Sequence, residues 1–282
     1  MEHLVSRRTH RLLAVVTAAA LVVAAAGFVL LRDHERDLPA DHADAVAILL
    51  PPTHAKFDYQ LGGAYAPPAG VQVVTRDRTA APAAGLYNIC YVNAFQVQPG
   101  EEGQWAADLL LRDAKGNVVI DEDWDEALLD LRTADKRNRI AAKVNGWIDG
   151  CAAKGYQAIE PDNYDSYTRS KQLLTASQAK EFATLLAVHA HSNGLAIGQK
   201  NASDLAGGRK TVGLDFAVAE ECGQYGECGD YVGAFGNNVI VIEYTDQGRK
   251  TACARYGGTL TIVQRDLNVS PAGDAEYVRK TC

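Results

Sequence analysis

From residue 57 onward, short apolar runs alternate with longer stretches of amphipathic spacing. Phe57–Leu61, Val71–Thr75, Leu86–Val92, Tyr156–Glu160, Leu195–Gln199, Phe216–Ala219, Val239–Glu243 and Thr259–Val263 are each four to seven residues long. That length, with Gly, Pro, Asn and Asp at the borders, predicts buried strands. Arg137–Lys154 places Ile140, Val144, Trp147, Ile148 and Cys151 on one helical face, and Gly155 stands where the helix should end. Ser177–Asn193 repeats the pattern with Phe182, Leu185, Leu186 and His189, and Gly194 follows it. Asp121–Arg132, charged and aromatic, keeps neither period and reads as an irregular insertion after the third strand. Eight strands, separated from the third onward mostly by helix-length segments, predict an α/β chain with a parallel sheet closed into a single (β/α)8 barrel.

The N-terminus departs from this pattern. Leu12–Leu31 is an unbroken run of 20 uncharged, mostly apolar residues, preceded by Arg7, Arg8 and Arg11. A basic flank before an apolar run predicts export, through a signal peptide or a single-span signal anchor. The length favours the anchor. Ala24-Ala25-Ala26 is a candidate cleavage site. The chain thus divides into residues 1–32, a proline-containing linker over 33–54, and a catalytic-sized domain over 55–282.

Charge and cysteine content sharpen the picture. The net charge is −7, but residues 1–32 hold four arginines against Glu2, so the remainder carries −10. An acidic body argues against nucleic acid as a partner and permits a cationic one. Six cysteines, Cys90, Cys151, Cys222, Cys228, Cys253 and Cys282, suit three disulfides in an oxidising compartment, and Cys222 and Cys228 are close enough for a local clip. Zinc ligation is not indicated, because there is no CxxC and no histidine near these cysteines.

The chemistry-bearing residues gather where the strands end. Tyr156–Glu160 runs into Pro161-Asp162-Asn163-Tyr164-Asp165. Leu195–Gln199 runs into Lys200 and Asn201, Phe216–Ala219 into Glu220 and Glu221, Val239–Glu243 into Tyr244, and Thr259–Val263 into Gln264, Arg265 and Asp266. In a barrel these ends converge on the face that carries active sites. Like charges gathered at one mouth oppose folding unless function requires them. Two carboxyl groups from different strands, Asp162 and Glu220, satisfy the basic need of glycoside hydrolysis, with Lys200 placed to keep a carboxylate ionised. Tyr59, Trp124, Tyr164 and Tyr244 offer ring faces for sugars.

The motifs EPDN (160–163), QKN (199–201), AEEC (219–222) and IEY (242–244), in this order, resemble glycoside hydrolase family 114, a family of secreted (β/α)8 endo-α-1,4-polygalactosaminidases. The resemblance spans roughly residues 57–282. It implies Asp162 as the nucleophile and Glu220 as the acid/base, acting with retention on an amino-sugar polysaccharide. Tyr59, Trp124, Glu160, Asn163, Lys200, Asn201, Glu221, Glu243, Tyr244, Arg265 and Asp266 are the expected substrate contacts. Ala219 stands where many members have Asn, and Val92–Gln96 lacks their Ser/Gly segment and Glu. No metal or organic cofactor is implied. The expected partner is the polysaccharide itself, cationic if its amines are free, met by a monomer outside the cytoplasm. A non-catalytic barrel that only binds cell-surface glycan is the alternative. Barrel order suggests the bridges Cys90–Cys151, Cys222–Cys228 and Cys253–Cys282.

Overall fold

The computed structural model describes residues 47–282. The expected signal or anchor segment and most of the expected linker lie outside the described residues. Among the described residues no helix is long and apolar enough to cross a membrane.

Strands β1 (Phe57–Gln60), β2 (Val73–Asp77) and β3 (Tyr87–Asn93) follow one another through loops. Three short strands come next, β4 (Gln96–Val97), β5 (Ile120–Asp121) and β6 (Glu126–Leu128). Helix α1 (Ala134–Lys154) leads to β7 (Ala158–Asp162), and α2 (Ser166–Arg169) and α3 (Ala176–Ser192) lead to β8 (Ala196–Lys200). The chain continues through α4 (Arg209–Val212), β9 (Phe216–Glu220), α5 (Cys222–Tyr225) and α6 (Cys228–Phe235). It ends with β10 (Val239–Glu243), α7 (Asp246–Tyr256), β11 (Thr261–Arg265) and β12 (Arg279–Thr281). The main sheet has the order β1-β2-β3-β7-β8-β9-β10-β11-β12, parallel up to β11, with β12 antiparallel at the end. The seam is drawn together by the Ala55 amide donating to Thr261 Oγ1 at 2.9 Å and by Arg279 donating to the Phe57 carbonyl at 2.8 Å. This is a nearly closed α/β barrel of the (β/α)8 type.

Alternation along each strand divides the core in two. Phe57, Tyr59, Val73, Ile89, Ala158, Phe216, Val218, Ile240, Ile242 and Val263 fill the barrel. Their neighbours Cys90, Val92, Ile159, Ala217, Ala219 and Val241 face the helices and pack with Ile140, Val144, Ile148, Phe182 and Leu186. Gly198 is required inside, since a Cβ there would lie 2.8 Å from the Phe216 ring.

The strands reach further than their apolar runs suggest. Pairing of β3 with β7 continues to Asn93 opposite Asp162, so polar residues belong to the ladder. Helix α1 begins three residues before Arg137, because Thr133 caps it by accepting from the Lys136 amide at 3.3 Å. Helix α3 opens with a capping box between Thr175 and Gln178. The stretch Asp121–Arg132 is not irregular. Its first part contributes to β5 and forms β6 of an antiparallel sheet ordered β4-β6-β5, and Ala127 and Leu128 of β6, with Leu129 and Leu131 after it, are buried. Cys90 is bonded to Cys151, Cys222 to Cys228 and Cys253 to Cys282, with Cα separations of 6.1, 4.8 and 5.5 Å.

Candidate active site

Strand parity decides which of the strand-end groups enter the barrel mouth. Asp162 shares parity with Ala158 on β7, Lys200 with Ala196 on β8, Glu220 with Phe216 and Val218 on β9, and Tyr244 with Ile240 and Ile242 on β10. Tyr59 on β1 and Tyr91 on β3 face the same way. Around them is a cleft of about 670 Å³. The loops leaving three of these strands turn at once into the left-handed region, with φ of 67° at Asn163, 51° and 58° at Asn201 and Ala202, and 56° at Glu221. Such conformations are disfavoured for non-glycine residues and persist only where the surroundings impose them.

Lys200 is the hub. It is buried, and its Nζ lies 3.2 Å from Asp162 Oδ1, 3.3 Å from Glu220 Oε2 and 3.3 Å from Glu160 Oε1. It also donates to the Tyr59 hydroxyl at 3.1 Å, and Tyr59 donates to Glu160 Oε1 at 2.7 Å. Asp162 accepts from the Tyr91 hydroxyl at 2.6 Å and from the Asn163 amide at 2.8 Å. Glu220 accepts from the Tyr244 hydroxyl and, at 2.9 Å, from Asn201 Nδ2. Asn201 Oδ1 in turn accepts from the Glu220 amide at 2.9 Å, which fixes the strand end as well as the side chain. The two Lys200 contacts cap the separation of Asp162 Oδ1 and Glu220 Oε2 at about 6.5 Å, their sum.

These contacts set the protonation states. Burial works against the Asp162 carboxylate, but the Lys200 ammonium, the Tyr91 hydroxyl and the Asn163 amide outweigh it and hold the group below the usual carboxylate range. Burial pushes Glu160 up to about 7, offset only in part by Lys200 and Tyr59. Burial disfavours the Lys200 ammonium too, yet Asp162 and Glu220 keep it charged, well above the usual lysine value. Glu221 is raised by burial and by Glu220 beside it.

Asp162, Glu220, Tyr59, Trp124, Asn163, Lys200, Asn201, Glu221 and Tyr244 line the cleft together. Glu160 lies beneath its floor, fully buried under Tyr59 and Lys200. Three expected contacts do not line the cleft. Glu243 has the parity of Val239 and Val241, so it faces the helices, where its Oε1 accepts from the Gly223 amide at 2.6 Å. Gly223 and Gly248 make room for it; a Cβ at Gly248 would lie 2.1 Å from Glu243 Oε2. Arg265 is buried at the seam and donates to the carbonyls of Val278 and Ser270. Asp266 accepts from the amides of Ser270 and Val278 and shapes the C-terminal loop. Tyr164 is buried against Phe95. Sequence reading passed over Tyr91, although it follows Ile89 by two residues and so shares its face. It also passed over Glu126 and Tyr225, which come from segments without a clear period. Tyr225 and Trp124 are 69% and 57% exposed at the rim, as ring platforms require. Cys222, Cys228 and Glu243 lie close together, but the two sulfurs are bonded to each other and offer no thiolate to a metal.

Residues 38–282 match the family model described as glycoside-hydrolase family GH114. The chain belongs to that family. As a GH114 member it is a glycoside hydrolase rather than a barrel that only binds glycan. Among solved structures, it is similar to Aspergillus fumigatus Ega3 in complex with galactosamine, with a TM-score of 0.69 and 23% identity over 84% of this chain and 98% of that one. The glycoside hydrolase domain of PelA from Pseudomonas aeruginosa aligns with a TM-score of 0.54 and 14% identity, over 78% of this chain and 98% of that domain. At these identities the likeness is one of fold. No curated protein sequence matches the chain.

Proposed function

We propose that this GH114 enzyme is exported and cleaves an α-1,4-linked, galactosamine-containing polysaccharide with retention of configuration. The observation that carries the reading is the pair of carboxylates held by one ammonium. With their Lys200-bound oxygens no more than about 6.5 Å apart, Asp162 and Glu220 lie at or below the lower edge of the separation at which a water fits between them and the sugar. Retaining pairs lie about 5–5.5 Å apart and inverting pairs about 6.5–9.5 Å.

Asp162, kept ionised, attacks the anomeric carbon as the glycosidic C–O bond breaks. Glu220, in its protonated form, gives its proton to the leaving oxygen. Water then attacks the anomeric carbon of the glycosyl–Asp162 ester, Glu220 takes the water proton, and the Asp162 carboxylate departs. Tyr91 and the Asn163 amide hold Asp162 in line, and Tyr244 and Asn201 hold Glu220. The acidic mouth and the galactosamine bound to Ega3 support an amino sugar as substrate. The three disulfides and the basic-flanked apolar run support export, with the anchor reading of residues 1–32 favoured by length.

Reducing-end release from polygalactosamine by wild type and by Asp162→Asn tests the proposal, with proton NMR of the first-formed anomer. Retention gives the α-anomer from wild type and no turnover from the variant. A first-formed β-anomer, or wild-type turnover in Asp162→Asn, refutes the mechanism.

A further inference from the structure

A second cleft, of about 550 Å³, abuts the catalytic one along Leu61, Tyr91, Trp124 and Glu126. Glu126 stands in this shared wall and comes from β6, in the inserted sheet rather than the barrel. It is 8% exposed. Its Oε1 accepts from Gln98 Nε2 at 2.8 Å and its Oε2 from Asn163 Nδ2 at 3.2 Å. Both donors are neutral, and no lysine or arginine among the described residues pairs with it. Its neighbour Asp121, by contrast, is met by Arg169 at 2.5 Å, and Asp162 by Lys200. A buried carboxylate without a counter-charge is disfavoured, and burial, with Asp162 and Asp121 adding and the amides of Asn93 and Asn163 offsetting only part, pushes Glu126 up to about 7. Two further side chains of the second cleft, Asn93 and Gln96, are 8% and 1% exposed. Nδ2 of Asn93, on a side chain that faces Glu126, and Oε1 of Gln96 have no partner within hydrogen-bond distance among the described residues.

One wall therefore holds a carboxylate lacking a cation, an amide donor turned toward that carboxylate, and a free acceptor. An amino sugar supplies the complements, an ammonium for the first and hydroxyls for the others. We propose that Glu126, Asn93 and Gln96 form a subsite for an ammonium-bearing sugar unit of the polymer being cut at Asp162 and Glu220. The inference rests on the amino-polysaccharide reading above and adds where the free amine is recognised. Asn163 links the two places, its backbone amide on Asp162 and its side chain on Glu126. Trp124, on the turn before Glu126, lines both clefts. An N-acetylated unit brings no cation to Glu126, so the subsite selects for free amine.

The test compares galactosamine oligomers with the same oligomers after chemical N-acetylation. Isothermal titration into Asp162→Asn and into the Asp162→Asn/Glu126→Gln double variant reads binding without turnover. The double variant should bind the free-amine oligomer about tenfold or more weakly, as expected for a lost charged hydrogen bond, and the acetylated oligomer equally well. In the active enzyme, Glu126→Gln should raise KM on the amine series by the same factor and change kcat less than about threefold. Glu126→Asp, which keeps the charge, should recover part of the affinity. Thermal melting should show Glu126→Gln at least as stable as wild type, since it removes a buried charge. Equal losses on both oligomer series, or unchanged binding of the amine series, would overturn the subsite and leave the amino-polysaccharide reading intact. A wild-type enzyme that turns over neither series overturns that reading and the subsite with it.

Discussion

Replacing Lys200 by Met tests whether one ammonium holds the reaction centre together. The substitution keeps most of the side-chain volume and removes the charge that three carboxyl groups share at 3.2–3.3 Å. At an effective dielectric of about 20, each such contact is worth about 5 kcal/mol of Coulomb energy before desolvation is counted. Desolvation of the ammonium offsets much of this, and breaking a buried pair from one side costs about 3–5 kcal/mol net. Against a typical stability of about 5–15 kcal/mol, the variant should fold but melt markedly lower.

The pH dependence gives the sharper signature. In wild type the Asp162 carboxyl is held below its ordinary value. Its contribution to stability is therefore present above the unfolded pKa of about 3.9 and lost as pH falls through the lower folded value. Without Lys200, burial is opposed only by Tyr91 and the Asn163 amide at Asp162 and by Tyr59 at Glu160, and both carboxyls are pushed upward. The variant's deficit should then be largest near pH 7–8 and shrink as pH falls and the carboxyls become neutral. Calorimetric melts of both proteins across about pH 4.5–8, with kcat/KM profiles alongside, read this out. The acidic limb of the profile should move to higher pH by at least about one unit. A deficit that is constant or grows in acid, or an unmoved acidic limb, would refute the reasoning.

Glu160→Gln removes a buried carboxyl that folding pushes up to about 7. Wild type binds this extra proton only when folded, so its stability falls as pH rises from about 4.5 to about 7, and the variant should gain on it across that window in urea melts. Gly198→Ala sets a methyl 2.8 Å from the Phe216 ring and should cost about 1–3 kcal/mol by thermal denaturation, with KM unchanged. Converting Cys222 and Cys228 to serine opens a loop of sequence separation 6 directly after Glu220 and Glu221. It should cost about 2 kcal/mol of stability and lower kcat more than it raises KM. Glu243→Gln should lower the melting temperature while leaving kcat within about twofold, because Glu243 supports the Gly223 turn from outside the cleft.

The barrel was legible because burial on both faces makes parallel strands continuous apolar runs, and all eight runs lie on ladder strands. The runs stopped short of Asp162, Lys200 and Glu220, since a mouth-facing ladder position takes a polar residue without losing its pairing. Parity along those same runs already separates Tyr244, on the face of Ile240 and Ile242, from Glu243, on the face of Val239 and Val241. Strand-end position without parity joined them. Tyr91 was lost for the same reason. Strands β4, β5 and β6 are two or three residues long, too short for a period-2 signal, so Glu126 could not be placed from its neighbours. The seam partners of Arg265 are residues close in sequence brought round by β12, whose Arg279-Lys280-Thr281 carries no apolar signal at all.

The identity of the nucleophile is tested most directly by trapping it. A 5-fluoro-α-galactosaminyl fluoride should react with the enzyme and accumulate a glycosyl–enzyme ester, because the ring fluorine slows both steps while the fluoride leaving group keeps the first fast enough to outrun the second. Intact-mass and peptide mapping after brief incubation at low pH should place the added sugar on Asp162. A label on Glu220, or an enzyme that turns the reagent over without ever carrying it, would contradict the account.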